Sequence, residues 1–154
     1  MAHPDRYLDD LKVGEVWLGQ PFEITEAEII EFARAYDPQP MHIDPEAAAR
    51  GRFGGLIASG WHVASRVMRE FVDESPFGAT PMLGLRIDEL CWLKTVRPGD
   101  RLRVRREILE VVPSKSRADR GVVRTATTVT NQDGELVMSF FTLIQVPANA
   151  GTTL

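Results

Sequence analysis

Asp37 and His42 lie five residues apart in Tyr36-Asp37-Pro38-Gln39-Pro40-Met41-His42-Ile43-Asp44. A carboxylate and an imidazole held near each other can work on one substrate atom as acid and base. Pro38 and Pro40 each lack an N–H and fix φ at about −65°, so the stretch is expected to be a stiff loop, neither helix nor paired strand. His42 is also the histidine with carboxylates on both sides, Asp37 and Asp44. Each residue has a plainer reading. Asp37 can end the preceding helix as a turn former, and His42 can bond Asp44 within the loop. Asp44 reads better as the N-cap of the next helix than as a third reacting group.

The remaining chemistry-bearing residues are sparse. Three histidines without ligand spacing predict no metal site. His62 reads as a satisfied core or interface histidine, and His3 as tail. Cys91, the sole cysteine, sits in Leu90-Cys91-Trp92-Leu93 and is expected to be a small buried apolar residue. A net charge of −4 argues against nucleic acid or an anionic membrane as partner, since both need clustered positive charge. No apolar run approaches spanning length, and the first ten residues lack a signal-type apolar core, so a cytoplasmic protein is expected.

The chain of 154 residues is expected to be one domain, with a core from about residue 10 to 146. A short strand is expected over Val16 to Phe22. Thr25 and Glu28 make a capping box, and Ile29, Ile30, Phe32, Ala33 and Tyr36 repeat at helical spacing until Pro38 stops the helix. Asp44-Pro45 starts a short Ala-rich helix that Gly51 closes. Ser59 is expected to cap a longer helix, apolar almost all round through Val63, Ala64, Val67, Met68, Phe71 and Val72, and therefore wrapped. From residue 80 the period becomes two, giving strands over Met82–Val96, Arg101–Val112, Gly121–Thr130 and Leu136–Val146. Helices first and a run of strands after them predict an α+β class, one central helix against an antiparallel sheet. Arg101, Arg103 and Arg105 share one strand face, read as solvated, with contact to an anionic ligand as the alternative.

With those elements placed, the chain resembles the MaoC-like acyl-CoA dehydratases, or R-specific enoyl-CoA hydratases. The family pattern Asp-x-Asn-Pro-[apolar]-His-x-Asp reads here as Asp37-Pro38-Gln39-Pro40-Met41-His42-Ile43-Asp44. Leu56-Ile57-Ala58-Ser59-Gly60 is similar to the family's small-residue lead into the central helix. Met82 to Leu93 and Arg97-Pro98-Gly99-Asp100 are similar to its first long strand and turn. Gln39 departs from the usual Asn, carrying the same amide on one more methylene.

The resemblance implies a hot-dog fold, a long helix wrapped by a curved antiparallel sheet. It implies reversible addition of water to a 2-enoyl-CoA, with Asp37 and His42 activating one water and the proton returning to Cα. The thioester oxygen would be held by backbone N–H groups near Gly60 and Trp61, with Ser59 beside them and Gln39 contacting water or carbonyl. No cofactor beyond the coenzyme A thioester substrate is implied. A homodimer is expected, because a single sheet around one helix leaves edges and an apolar helix face uncovered. Two rival readings are a hot-dog thioesterase, attacking the thioester carbonyl instead, and a non-catalytic acyl-CoA-binding module.

Overall fold

The computed structural model describes residues 3–149. Two short strands, β1 (Val16–Leu18) and β2 (Phe22–Glu23), lead into helix α1 (Glu26–Tyr36). Two short helices follow, α2 (Pro40–Ile43) and α3 (Pro45–Arg50), and then the long helix α4 (Gly60–Glu74). Strands β3 (Leu83–Trp92), β4 (Arg101–Pro113), β5 (Arg120–Thr130) and β6 (Leu136–Pro147) complete the chain. The strand order is β1-β4-β5-β6-β3, antiparallel throughout, with β2 also paired to β4. The expected α+β class is borne out.

Local chemistry accounts for most boundaries. Thr25 Oγ1 accepts from Glu28 N–H and starts α1. Asp44 accepts from Glu46 and Ala47 N–H, with Pro45 at the first helical position of α3, as expected. Gly99 at φ +87° and Gly134 at φ +74° make left-handed turns that a side chain would strain. β5 alternates without a break, Val123, Thr125, Thr127 and Val129 pointing inward and buried. Val63 and Val67 of α4 join Val104, Val129 and Met138 of the sheet in one apolar cluster.

Five expectations are corrected. The double-proline stretch is not all loop: Pro40 opens the single helical turn α2, which needs no N–H from that residue. Val16 to Phe22 is two strands, parted at Gly19-Gln20-Pro21, where Pro21 offers no donor. The first long strand stops at Trp92, after a bulge between Asp88 and Cys91 where Glu89 has φ 51°. Beyond it the chain turns back, and Val96 C=O accepts from Ala58 N–H in front of α4. Cys91 is exposed, because β3 is an edge strand bonded only to β6. Finally, α4 is not wrapped all round: Trp61, Met68 and Val72 are each more than half exposed, at 59%, 60% and 58%.

Arg101, Arg103 and Arg105 do share the outward face of β4; Arg103 donates to Gly19 C=O and Arg105 to Glu107. His62 is buried and stacked on Phe32 at 5.0 Å, as a core histidine should be, but its Nδ1 has no partner. Burial, helped by the Arg66 charge, pulls its pKa down to about 4. The tail after Pro147 reads in the sequence as frayed, but Ala148 and Asn149 donate their N–H groups to Asp119 C=O and the Asp9 carboxylate; residues 150–154 lie outside the described residues.

Candidate active site

The site forms where the end of α1, the turn α2 and the start of α4 meet. Asp37 is the residue after α1, its N–H closing the helix on Ala33 C=O and its side chain free to leave the axis. His42 sits in α2 with its ring 5% exposed. Its Nδ1 lies 2.7 Å from Ile57 C=O. A carbonyl only accepts, so Nδ1 carries a proton, and in the neutral ring Nε2 presents a lone pair. That Nε2 faces Asp37 Oδ2 at 3.4 Å. Ile57 is itself tied to α2, donating its N–H to Met41 C=O.

The Asp37 carboxylate accepts two side-chain hydrogen bonds. Gln39 Nε2 donates to Oδ1 at 2.7 Å, and Ser59 Oγ donates to Oδ2 at 2.7 Å. These donors, the Gln39 amide first, hold the Asp37 pKa below the ordinary carboxylate range; burial opposes them, and the His42 ring in its charged form adds a smaller downward pull. Ser59 therefore does not cap α4 with its side chain, as had been expected; its hydroxyl is committed to Asp37. Asp44 turns away and caps α3, so it is not His42's partner.

Gly60 and Trp61 open α4, whose first N–H groups have no acceptor within the helix. The Trp92 indole N–H donates to Gly60 C=O at 2.9 Å and the ring lies against the glycine. A Cβ at residue 60 would meet Trp92 Cε2 at 2.5 Å, so only glycine lets the indole brace this end of the helix. Trp61 packs edge-on to Trp92 at 5.0 Å. A cleft of about 460 Å³ joins these parts, bordered by Asp37, Met41, His42, Ser59, Gly60 and Trp61 on one side and by Trp92 to Val96 on the other. Gln39 reaches it through Asp37. The Ile57 carbonyl is a contributor that residue types alone did not single out, and Trp92, legible only as a large apolar residue, meets Gly60 through a non-local contact from the end of β3. Among the described residues no cluster of His, Cys, Asp and Glu could hold a metal ion.

The expected effect of those donors on Asp37 is measurable. Ser59→Ala removes one donor from the charged form, so the Asp37 titration should move upward, toward ordinary carboxylates, in a carbon-detected NMR titration. Gln39→Leu should do the same through Oδ1. An unmoved midpoint in both variants would contradict the assigned hydrogen bonds. By linkage, a carboxylate depressed in the folded state stabilises the fold above its unfolded pKa, and that contribution is lost as pH falls through the folded value.

Residues 12–132 match the MaoC like domain. The chain belongs to the MaoC-like dehydratase family. Over 94% of its length it superposes on 98% of a MaoC-like dehydratase from Rhodospirillum rubrum, with TM-score 0.83 and 39% identity. The unliganded R-hydratase of Pseudomonas aeruginosa superposes over 93% of this chain and 86% of its own, with TM-score 0.78 and 28% identity. Among curated proteins, a 3-hydroxybutyryl-CoA dehydratase of Methylorubrum extorquens is 29% identical over 142 residues, covering 92% of this chain and 84% of the relative. The uncharacterized protein YdeM of Bacillus subtilis (strain 168) is 30% identical over 125 residues, 81% of this chain and 87% of the relative. The MaoC-like protein thus has the hot-dog fold that the loop motif implied. No helix among the described residues is long and apolar enough to cross a membrane.

Proposed function

We propose that this MaoC-like protein adds water to a trans-2-enoyl-CoA, giving an (R)-3-hydroxyacyl-CoA, and runs the reverse dehydration. The observation that carries the reading is the pairing of two acceptors, Asp37 Oδ2 and His42 Nε2, 3.4 Å apart beside the free N–H groups of α4. A water donating one hydrogen to each would satisfy both, leaving its oxygen lone pair for Cβ of the enoyl group. As the C–O bond forms, one proton passes to the Asp37/His42 pair and the Cα=Cβ electrons move onto the thioester oxygen. The N–H groups of Gly60 and Trp61, at the positive end of α4, hold that oxygen. The pair then returns the proton to Cα as the enolate collapses, so atoms and charge balance. No cofactor enters this sequence; coenzyme A arrives with the substrate.

The stereochemical outcome tests the reading. Chiral chromatography of the hydration product should give the R enantiomer; an S product would contradict the (R)-hydratase reading, and a racemate would contradict attack by a water fixed on one face.

The working unit is proposed to be a homodimer. β3 has a free edge, and Leu83, Leu85, Ile87 and Trp92 on it are all exposed beside Trp61, Met68 and Val72 of α4. Such a continuous apolar edge in water invites pairing. Light scattering coupled to size-exclusion chromatography should give twice the chain mass; a monodisperse monomer would contradict this arrangement.

A further inference from the structure

A second cavity of about 440 Å³ lies between α4 and the concave face of the sheet, and Trp61 borders both it and the cleft. Its walls are largely apolar, from Val67, Met68 and Phe71 on the helix to Phe140 and Ile144 on β6. Its floor is not. Arg106, Thr125, Thr127 and Thr142 also line it. The sheet register brings them together, since Arg106 stands opposite Thr127 and Thr125 opposite Thr142. Arg106, Thr125 and Thr127 are buried, at 6%, 3% and 2% exposure.

These polar groups are only partly satisfied. Arg106 donates to Glu70 Oε2 at 2.6 Å and to Val67 C=O at 3.0 Å, which leaves guanidinium N–H groups over. Neither threonine hydroxyl has a hydrogen-bond partner among the described residues. Valine in their places would fill the same β-branched outline with no polar atom to desolvate. Hydroxyls kept there, beside a buried guanidinium and open to a chamber, fit a ligand that bonds them.

We infer that this chamber receives the acyl chain and that Arg106, Thr125 and Thr127 recognise an oxygen-bearing group, hydroxyl or carbonyl, far along that chain. The inference rests on the acyl-CoA reading of the cleft. An uncharged group fits better than a carboxylate, because Glu70 already neutralises Arg106. The distance is also suitable. Arg106 meets α4 at Val67, seven residues past Gly60, or about 10 Å along the helix from the thioester end. The preferred substrates are thus medium-chain enoyl esters with a distal oxygen function.

Binding separates this inference from the catalytic reading. Two saturated medium-chain acyl-CoAs of equal length, one ending in methyl and one in hydroxyl, cannot be hydrated and can be compared by titration calorimetry. The wild type is expected to bind the hydroxyl ester at least as tightly as the methyl ester. Thr125→Val/Thr127→Val should shift the ratio of the two dissociation constants about tenfold toward the methyl ester. If the threonines serve only the fold, the variant binds both esters in the wild-type ratio, and the inference is overturned whichever ester is preferred. Turnover of the matching trans-2-enoyl esters is read separately. A shifted ratio without hydration would uphold the chamber and remove the hydratase reading, whereas hydration with an unshifted ratio would do the reverse. Failure to bind either ester would overturn both.

Discussion

Asp37→Asn should lower kcat/KM for hydration of trans-2-enoyl-CoA by about 10²–10⁴ while leaving the fold in place. The amide keeps the size of the carboxylate but loses its charge and one acceptor oxygen. Gln39 Nε2 donates to Oδ1 and would meet an amide NH₂ there as donor against donor, so the NH₂ is expected on the Oδ2 side, where the Ser59 hydroxyl can turn to accept. The water would also lose one of its two acceptors, since His42 Nε2 alone remains. In the proposed mechanism the two residues act on one water, so the losses should not add. His42→Ala should cost a similar factor, and the double variant little more than either alone. Circular dichroism and the unfolding midpoint should change little for Asp37→Asn, whose side chain is 23% exposed at the cleft. Activity within a factor of two or three of wild type would show that Asp37 only ends α1.

Glu70→Leu should destabilise the protein by about 3–5 kcal/mol, read as a lower midpoint in urea unfolding. Glu70 and Arg106 are a buried ion pair, their side chains 6% and 8% exposed, joined at 2.6 Å. Burial raises the Glu70 pKa and lowers that of Arg106, while each partner's charge pulls the other back. Removing the carboxylate leaves the guanidinium in a site shared with the Phe71 ring, 5.0 Å away, with Val67 C=O as its remaining hydrogen-bond partner. Gly19 belongs to the same arrangement: a Cβ there would collide with Glu70 Oε1, so Gly19→Ala should push the carboxylate off Arg106 and destabilise in the same direction. Glu70→Leu/Arg106→Met should recover much of the loss, because the polar pair then becomes an apolar one. A double variant as unstable as Glu70→Leu alone would contradict the pairing.

The sequence carried the local decisions and missed the long-range ones. Thr25, Asp44 and Pro45 announced their helices because a cap acts within three residues. The Asp37–His42 approach was legible for the same reason, five residues apart in a constrained stretch. The Ser59–Asp37 bond spans 22 residues, and nothing at Ser59 distinguishes a serine that caps its own helix from one that bonds another. Periodicity found the strands but not their ends: the bulge and turn that release the chain at Trp92 answer to its need to reach Ala58 and line the cleft. The apolar count on α4 was right and its consequence incomplete, since one chain covers only one side of the helix. The polar floor of the second chamber was invisible for a further reason. Thr125 and Thr127 alternate as any half-buried strand does, and only the pairing of β4 with β5 sets them beside Arg106.

The central claim is the chemistry at the Asp37–His42 pair, and one assay reads it directly. Purified protein is mixed with a panel of trans-2-enoyl-CoAs while the absorbance of the conjugated enoyl thioester and the release of free coenzyme A thiol are followed together. A hydratase removes the conjugation and releases no thiol. Thiol appearing in step with the loss of absorbance would make the protein a thioesterase, and an unchanged absorbance across the panel, with the esters bound, would make it a binding module.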